Sequence, residues 1–168
     1  MSEIQAGNGN NEANPEDGFK LIERILALSV ADTWDEARLE WEIAEVYEEP
    51  ESRCLCDHQI TEVCVLRNTL NDNTAEVGNV CVKKFQSISS DQMFRSVSRV
   101  KKNPEKALHR DLIELALENR WIDQSSCYFY LDTWRMRSRI SPKQLAWRKD
   151  VNAKVLEHIK RGGLKEAA

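Results

Sequence analysis

The chain has 168 residues, 41% of them hydrophobic and 31% charged, and carries a net charge of −4 at pH 7. This size suits one domain with at most a small appended module, and the composition is ordinary for a globular protein. The sequence argues against two classes, membrane-spanning proteins and secreted proteins. No apolar run approaches the roughly 18 residues needed to span a bilayer, and the N-terminus lacks the basic and apolar segments of a secretory signal. We therefore expect a cytoplasmic protein that has no membrane partner.

The charge is unevenly distributed along the chain. Residues 1–53 carry a net charge of −10, residues 54–168 carry +6, and the segment 132–161 holds nine basic and three acidic side chains. A basic C-terminal part behind an acidic N-terminal part indicates a polyanionic partner, or two halves of the molecule that dock on each other. The sequence leaves both possibilities open.

The N-terminal third is predicted to be a tail followed by two helices. Residues 1–14 are rich in Gly, Asn and Glu, so we expect a disordered tail. Residues 15–51 form an expected acidic helical hairpin, whose first helix covers 17–30. The second starts at Thr33, where TWDE has the pattern of a capping box, and ends at Pro50. Trp34 and Trp41 lie at helical spacing in this segment and are expected to anchor the core.

In residues 52–86 the pattern of apolar residues changes to the alternation that is typical of strands. ITEVCVLR at 60–67 is rich in β-branched residues, NTLNDN at 68–73 supplies turn residues, and TAEV at 74–77 can return as the partner strand. We predict a short β-hairpin with cysteines at its open end.

Residues 87–163 are predicted to form a basic helical region, followed by a tail at 164–168. One helix should start at Ser89 or Ser90, a second at Asn103-Pro104, and a third should cover about 124–137. The last should begin at SPKQ, where Ser141 caps, Pro142 takes the first helical position and Gln144 completes a capping box. Gly162-Gly163 provides its stop.

The hairpin is expected to close a metal site. Cys54, Cys56 and His58 alternate, so all three can face one side of a turning segment, and the returning strand brings Cys81 to the same end. Gly78 permits a tight turn that directs backbone amides at a thiolate sulfur. Three thiolates and one imidazole favour Zn²⁺ in a closed, structural site. The predicted ligands are Cys54, Cys56, His58 and Cys81.

The sequence leaves alternatives to this ligand set open. Cys64 could replace His58 as the fourth ligand, although its position in the middle of a strand favours a buried apolar role. Cys127 is expected to belong to the core of a helix. An odd number of cysteines fits a disulfide framework poorly, but the clustered thiols could instead be reduced core residues.

Several stretches resemble a family of small, mostly uncharacterised bacterial and phage proteins. The shared signature is a C-x-C-x-H or C-x-C-G start, an asparagine-rich hairpin and a closing VGN-x-C-x-K-K-F, and the similarity runs across most of residues 33–161. The resemblance implies a zinc-ribbon-like module flanked by helices, with structural roles for Asn68, Gly78 and Asn79. It assigns no function. One departure is Asp57, because relatives often have glycine after the second cysteine.

The expected fold class is therefore α+β: mostly α-helical, with a small zinc-bound β-hairpin. No catalytic motif accompanies the four ligands, so we expect a protein that is not an enzyme and has no small-molecule substrate. The first functional hypothesis is nucleic-acid binding, with DNA and RNA both open, because arginines and lysines are interleaved with Trp134 and Trp147. The candidate residues are Arg135, Arg137, Arg139, Lys143, Arg148, Lys149, Lys83 and Lys84.

The second hypothesis is a protein-interaction adaptor or regulator with a purely structural zinc ion. A role in a mobile element or phage is compatible with this hypothesis. In this interpretation the acidic segment 32–51 meets a basic partner, or masks the basic helices until a partner displaces it. Exposed tryptophans beside the arginines would favour nucleic acid, and buried ones would favour the adaptor.

Overall fold

A computed structural model describes residues 15–160 of the chain. These residues form an α+β fold with a small antiparallel sheet, as the sequence predicts. The tails at 1–14 and 164–168 and the stop at Gly162-Gly163 lie outside the described residues. The elements in chain order are α1 (Pro15–Leu28), α2 (Trp34–Ala37), a 3-10 turn (Arg38–Glu40), β1 (Trp41–Arg53), β2 (Gln59–Asn68), β3 (Thr74–Val77), α3 (Asn79–Val82), a 3-10 turn (Lys83–Phe85), α4 (Ser90–Lys102), α5 (Arg110–Glu118), α6 (Gln124–Thr133) and α7 (Pro142–Ile159).

The three strands follow one another in the sheet in the order β1-β2-β3. β2 and β3 form the predicted hairpin, with Cys64 opposite Val77 and Arg67 opposite Thr74. β1 pairs along the other edge of β2, from Trp41 opposite Asn68 to Arg53 opposite Gln59. Because a lone two-stranded hairpin is marginal in water, the third strand supplies pairing that the hairpin needs.

The predicted second helix is wrong over most of its length. Only Trp34–Ala37 is helical, the Thr33 side chain makes no capping hydrogen bond, and the residues from Trp41 onward form β1. The helical spacing of the tryptophans competes with the β-branched and aromatic residues of WEIAEVY, and pairing with β2 decides in favour of a strand. Trp41 is buried as expected, and Trp34 packs edge-on against Phe85.

The asparagine-rich loop of the hairpin also completes α1. The Asn68 side-chain oxygen accepts hydrogen bonds from the backbone amides of Leu70 and Asn71, which builds the turn. Asn71 and Asn73 each donate a side-chain hydrogen bond of 2.9 Å to the Leu28 carbonyl oxygen. The loop therefore satisfies the carbonyl end of α1, which would otherwise lack a partner within the helix.

The helical region follows the prediction with two corrections, one of which is that α6 ends at Thr133 and falls short of the predicted residue 137. Ser141 and Gln144 form the predicted capping box, and Pro142 starts α7. Asn103-Pro104, however, does not open a helix: α5 begins at Arg110, and His109 caps it through its ring nitrogen. Residues 103–109 form a loop because buried side chains of α6 and α7 bind its backbone.

Two of these buried side chains hold the loop in place. The Tyr130 hydroxyl accepts a hydrogen bond from the Leu108 amide and donates one of 2.6 Å to the Asn152 side-chain oxygen. The Asn152 amide group donates to the carbonyl oxygens of Pro104 and Lys106. Since each buried polar group has a partner, the network fixes the loop at little desolvation cost.

No helix within residues 15–160 has both the length and the apolar character needed to cross a membrane. The main hydrophobic core is formed by the sheet and the helices together. It includes Cys54, Cys56 and Cys81, which lie at the end of the sheet where β1 meets β2 and β3 ends, here called the open end. The open end is therefore an integral part of the core.

Candidate metal centre

Three of the four predicted ligands converge at the open end of the sheet. The Sγ atoms of Cys54, Cys56 and Cys81 all lie within 4.8 Å of one another, and all three residues are buried. Within residues 15–160 no other group of three His, Cys, Asp or Glu side chains converges in this way. The geometry is compatible with a metal site, because three thiolates at this spacing can bind one ion.

The first two cysteines belong to a tight turn between β1 and β2. The Cys54 amide donates a 2.8 Å hydrogen bond to the His58 carbonyl oxygen, and the Asp57 amide donates one of 2.9 Å to the Cys54 carbonyl oxygen. Asp57 has a φ of 74°, a left-handed conformation that glycine adopts without strain and aspartate tolerates.

Elements outside the turn hold it in place. From α1, Arg24 donates a 2.5 Å hydrogen bond to the Leu55 carbonyl oxygen and forms a 2.9 Å salt bridge with Asp57. The Leu55 amide donates to the Glu76 carbonyl oxygen of β3 at 2.9 Å. The contact with Arg24 lowers the pKa of Asp57, so this carboxylate is available for the salt bridge at neutral pH.

The third cysteine comes from α3, directly after β3. Gly78 precedes this short helix, and its amide donates a hydrogen bond of 3.3 Å to the Cys54 sulfur, as the sequence predicts. A Cβ at position 78 would lie only 2.8 Å from the Cγ2 atom of Ile60. The φ of Gly78 is −88°, which other residues also adopt, so the backbone conformation does not require glycine. Glycine is required because β2 approaches too closely to leave room for a side chain.

The three thiols have different proton affinities. Hydrogen bonding from Cys81, together with the amides of Cys56 and Gly78, lowers the pKa of Cys54 to about 5. Burial raises the pKa of Cys56, and the hydrogen-bonded Cys54 sulfur raises that of Cys81. Because metal binding requires thiolates, a cation would compete with the protons of these thiols, and metal affinity should rise with pH.

The structure places the remaining candidate ligands apart from this group. His58 is exposed, and its ring is not among the atoms that converge, although the residue lines the same cavity. Cys64 is fully buried within β2, and burial raises its pKa to about 12. Cys127 is buried in α6. The buried apolar roles predicted for Cys64 and Cys127 are confirmed.

A cavity of about 460 Å³ adjoins the three cysteines, which form part of its wall. Two carboxylates of the strands line it, and each is held by a partner. Glu62 accepts a hydrogen bond from the Asn79 side chain, and Glu48 forms a 2.6 Å salt bridge with Lys101 of α4. We call this space the thiol cavity.

The predicted nucleic-acid residues are divided among several surfaces. Arg135 and Arg137 line a groove of about 790 Å³ between α4, the loop 103–109 and the end of α6, together with the half-buried Trp134. We call this space the basic groove. Arg148 contributes to its wall but is buried, and donates hydrogen bonds to the carbonyl oxygens of Thr133, Met136 and Glu105. Lys84 lines the thiol cavity, and Lys83, Arg139, Lys143 and Lys149 are exposed outside both.

Sequence reasoning missed two basic residues of the basic groove, Arg99 and Lys106. They lie about 30 residues before Arg135, so nothing in the local pattern joins them to it. The excess of basic residues in α4 is a sequence signal for Arg99, but only the packing of α4 and the loop 103–109 beside the end of α6 brings Arg99 and Lys106 to the same groove as Arg135.

The chain was compared with protein-family models, with curated proteins and with solved structures, and none of the three searches found a match. The resemblance based on the cysteine signature therefore remains an expectation.

Proposed function

We propose that the protein is a non-enzymatic zinc-binding protein that binds nucleic acid in the basic groove. The observation that carries the proposal is the composition of that groove. Four exposed cations from three separate segments line the groove together with one half-buried indole, Trp134, and one exposed carboxylate, Glu105: the cations are Arg99, Lys106, Arg135 and Arg137.

Zinc is proposed because the converging ligands are soft. Thiolates select Zn²⁺, Cu⁺ or iron–sulfur clusters over magnesium and calcium, and zinc is the usual ion of structural sites with several cysteines. Cys54 directly follows β1, Cys56 precedes β2 and Cys81 lies in α3. An ion bound by all three would link these elements directly, which is the property of a structural site.

The basic groove has the features that a polyanion requires. Among the described residues, none of its four exposed cations forms a salt bridge, so their charges are available to phosphates. Arg135 lies over the Trp134 ring, 5.0 Å from its centroid. A groove with cations and an aromatic ring suits a single strand better than a duplex, because unpaired bases can stack.

The acidic segment 32–51 gives less support to the hypothesis of a protein-interaction adaptor. Glu48 binds Lys101 and Glu42 binds Arg67 at 2.5 Å, so part of the negative charge is already neutralised within the chain.

The buried Arg148 is not part of the proposed nucleic-acid surface, because its guanidinium donates hydrogen bonds to backbone carbonyl oxygens.

The test is fluorescence anisotropy with labelled single-stranded DNA and RNA, measured across a range of salt concentrations. We expect affinity to fall steeply as salt rises, with a slope of about −0.7 for each phosphate neutralised on a single strand. Replacing both Arg135 and Arg137 with alanine should weaken binding and reduce the slope by about 1.4, twice that value.

The matched control replaces Arg139 and Lys149, two exposed cations outside the basic groove. It removes the same net charge and should reduce binding much less. Equal losses in the two double variants would contradict a specific groove, and absence of binding to both nucleic acids at low salt would overturn the nucleic-acid proposal. Thermal unfolding must be unchanged in both variants for the comparison to count.

A further inference from the structure

The thiol cavity differs from an ordinary structural zinc site, because one side of the sulfur group borders a space large enough for a small molecule. All three cysteines line this cavity of about 460 Å³. Structural zinc sites are normally closed by a fourth protein ligand. The question is therefore which group completes the coordination of the proposed ion.

The described residues around the sulfurs do not supply a converging fourth donor. Cys64 is buried elsewhere in β2. Asp57 is held by Arg24, and Glu62 is held by the Asn79 side chain. His58 is the internal alternative, since it lines the cavity, but its ring nitrogens are not among the ligand atoms that lie within 4.8 Å of one another.

The wall of the cavity carries groups that a small molecule could contact. The Asn79 side-chain oxygen is buried and has no hydrogen-bond partner among the described residues, so a donor on a ligand would satisfy it. Lys84 is an exposed cation on the same wall, and no described carboxylate forms a salt bridge with it. Ile60 and Val80 provide an apolar surface between these polar groups.

We propose that the ion bound by Cys54, Cys56 and Cys81 accepts its fourth ligand from the thiol cavity, and that this ligand is a small aminothiol. The inference rests on the metal centre proposed above and is independent of nucleic-acid binding. A thiol sulfur is the soft donor that matches the other three. Its amine can donate to the Asn79 oxygen, and an acidic group on the molecule can pair with Lys84.

The binding step involves one exchange. The thiol sulfur forms a bond to the ion, a water ligand leaves, and the thiol proton passes to the solvent. Nothing is oxidised or reduced. Three thiolates and a dication carry a net charge of −1, and a fourth thiolate makes it −2, so the Lys84 ammonium group contributes to binding. This inference departs from the expectation that the protein has no small-molecule partner.

The test uses the full-length protein loaded with Co²⁺ in place of zinc, and L-cysteine as the probe. Tetrahedral cobalt–thiolate sites give visible and near-ultraviolet absorption bands that report the number of sulfur ligands. We expect saturable growth of the sulfur-to-cobalt band by about one third, as the sulfur count rises from three to four. His58→Ala should bind cobalt and respond to cysteine like the wild type.

A matched pair of lysine variants tests the wall of the cavity. Lys84→Gln should bind cobalt normally but require several-fold more cysteine for half-saturation. Lys83→Gln, at an exposed position outside the cavity, should behave like the wild type.

Two results would overturn the inference in distinguishable ways. If cysteine leaves the wild-type spectrum unchanged and His58→Ala alters it, His58 closes the site and the proposed metal centre stands without an exogenous ligand. If cobalt produces no thiolate band at all, the metal centre itself fails, and the inference fails with it.

Discussion

At the scale of single residues, two backbone positions determine how the sulfurs converge. Asp57 takes a left-handed conformation in the turn that carries Cys54 and Cys56, and Arg24 of α1 stabilises it there. Gly78 brings its amide to the Cys54 sulfur at 3.3 Å, in contact with Ile60. Neither residue would bind the metal, yet both control the spacing of the atoms that would.

Replacing Cys81 with serine should remove the metal. Loss of one of three thiolates should weaken zinc affinity by more than about 100-fold, the upper range for loss of a supporting residue alone. Cys64→Ser is the matched control, because Cys64 is buried but lies outside the sulfur group. Elemental analysis of both purified variants checks this. Zinc retained by Cys81→Ser, or lost from Cys64→Ser, would contradict the assigned ligands.

Tyr130 should make the protein sensitive to alkaline pH. Burial raises the pKa of Tyr130 to about 12, whereas an unfolded tyrosine titrates near pH 10. The folded state holds this proton more tightly, so its contribution to stability is complete below about pH 10 and falls by roughly 3 kcal/mol towards pH 12. Urea unfolding at pH 8 to 12 measures the decline.

Two tyrosine variants separate this effect from general alkaline unfolding. Tyr130→Phe should be less stable at pH 8 by about 1–2 kcal/mol, because Leu108 and Asn152 lose their partner, but its decline above pH 10 should be shallower. Tyr128→Phe, at a position that is 62% exposed, should follow the wild type. Parallel declines in all three proteins would refute this role for Tyr130.

At the scale of elements, the hairpin loop NTLNDN serves two structures at once. Asn68 builds the turn, while Asn71 and Asn73 bind the carbonyl end of α1 across a distance of more than 40 residues in sequence. The packing of α1 on the sheet therefore depends on polar contacts of the loop as well as on the buried Leu21 and Ile25.

Replacing Asn71 and Asn73 together with alanine should destabilise the protein by about 1–2 kcal/mol, since two hydrogen bonds to Leu28 are lost. Leu70→Ala is the control, because this side chain of the same loop is 66% exposed and its loss should change stability by less than about 0.5 kcal/mol. Chemical denaturation measures both. A smaller effect in the double variant than in the control would show that the loop does not support α1.

At the scale of the whole molecule, the sulfur group and the buried polar network secure different elements. The sulfurs join the turn between β1 and β2 to α3, whereas Tyr130 and Asn152 join α6 and α7 to the loop 103–109. Both groups adjoin the same hydrophobic core, but their polar contacts are separate. We therefore expect removal of the metal to have a local effect.

A strong chelator should loosen the open end of the sheet and spare the C-terminal helices. Hydrogen exchange measured by mass spectrometry should show faster exchange in residues 52–62 and 76–85, with little change in 124–159. The reason is that structural zinc contributes its binding energy to the segments that hold the ligands. Uniform acceleration along the chain would instead show one cooperative unit, and no change would argue against a bound metal.

Local chemistry made a large part of this molecule predictable. The hairpin of β2 and β3 and the capping box at Ser141 follow from residues close together in sequence. The convergence of Cys54, Cys56 and Cys81 and the Gly78 amide on the Cys54 sulfur join residues more than 20 positions apart, but they follow from the hairpin, which returns the chain to its starting end. Strand alternation, turn residues and caps act over only a few residues, so the sequence by itself determined them.

Tertiary structure decided the rest. Trp41 starts a strand because β2 offers an edge to pair with, and Arg148 is buried because three carbonyl oxygens from two distant segments meet around it. Arg99 and Lys106 join Arg135 in one groove through the packing of whole elements. These outcomes depend on contacts between residues far apart in the chain, and periodicity along the sequence carries no information about such contacts.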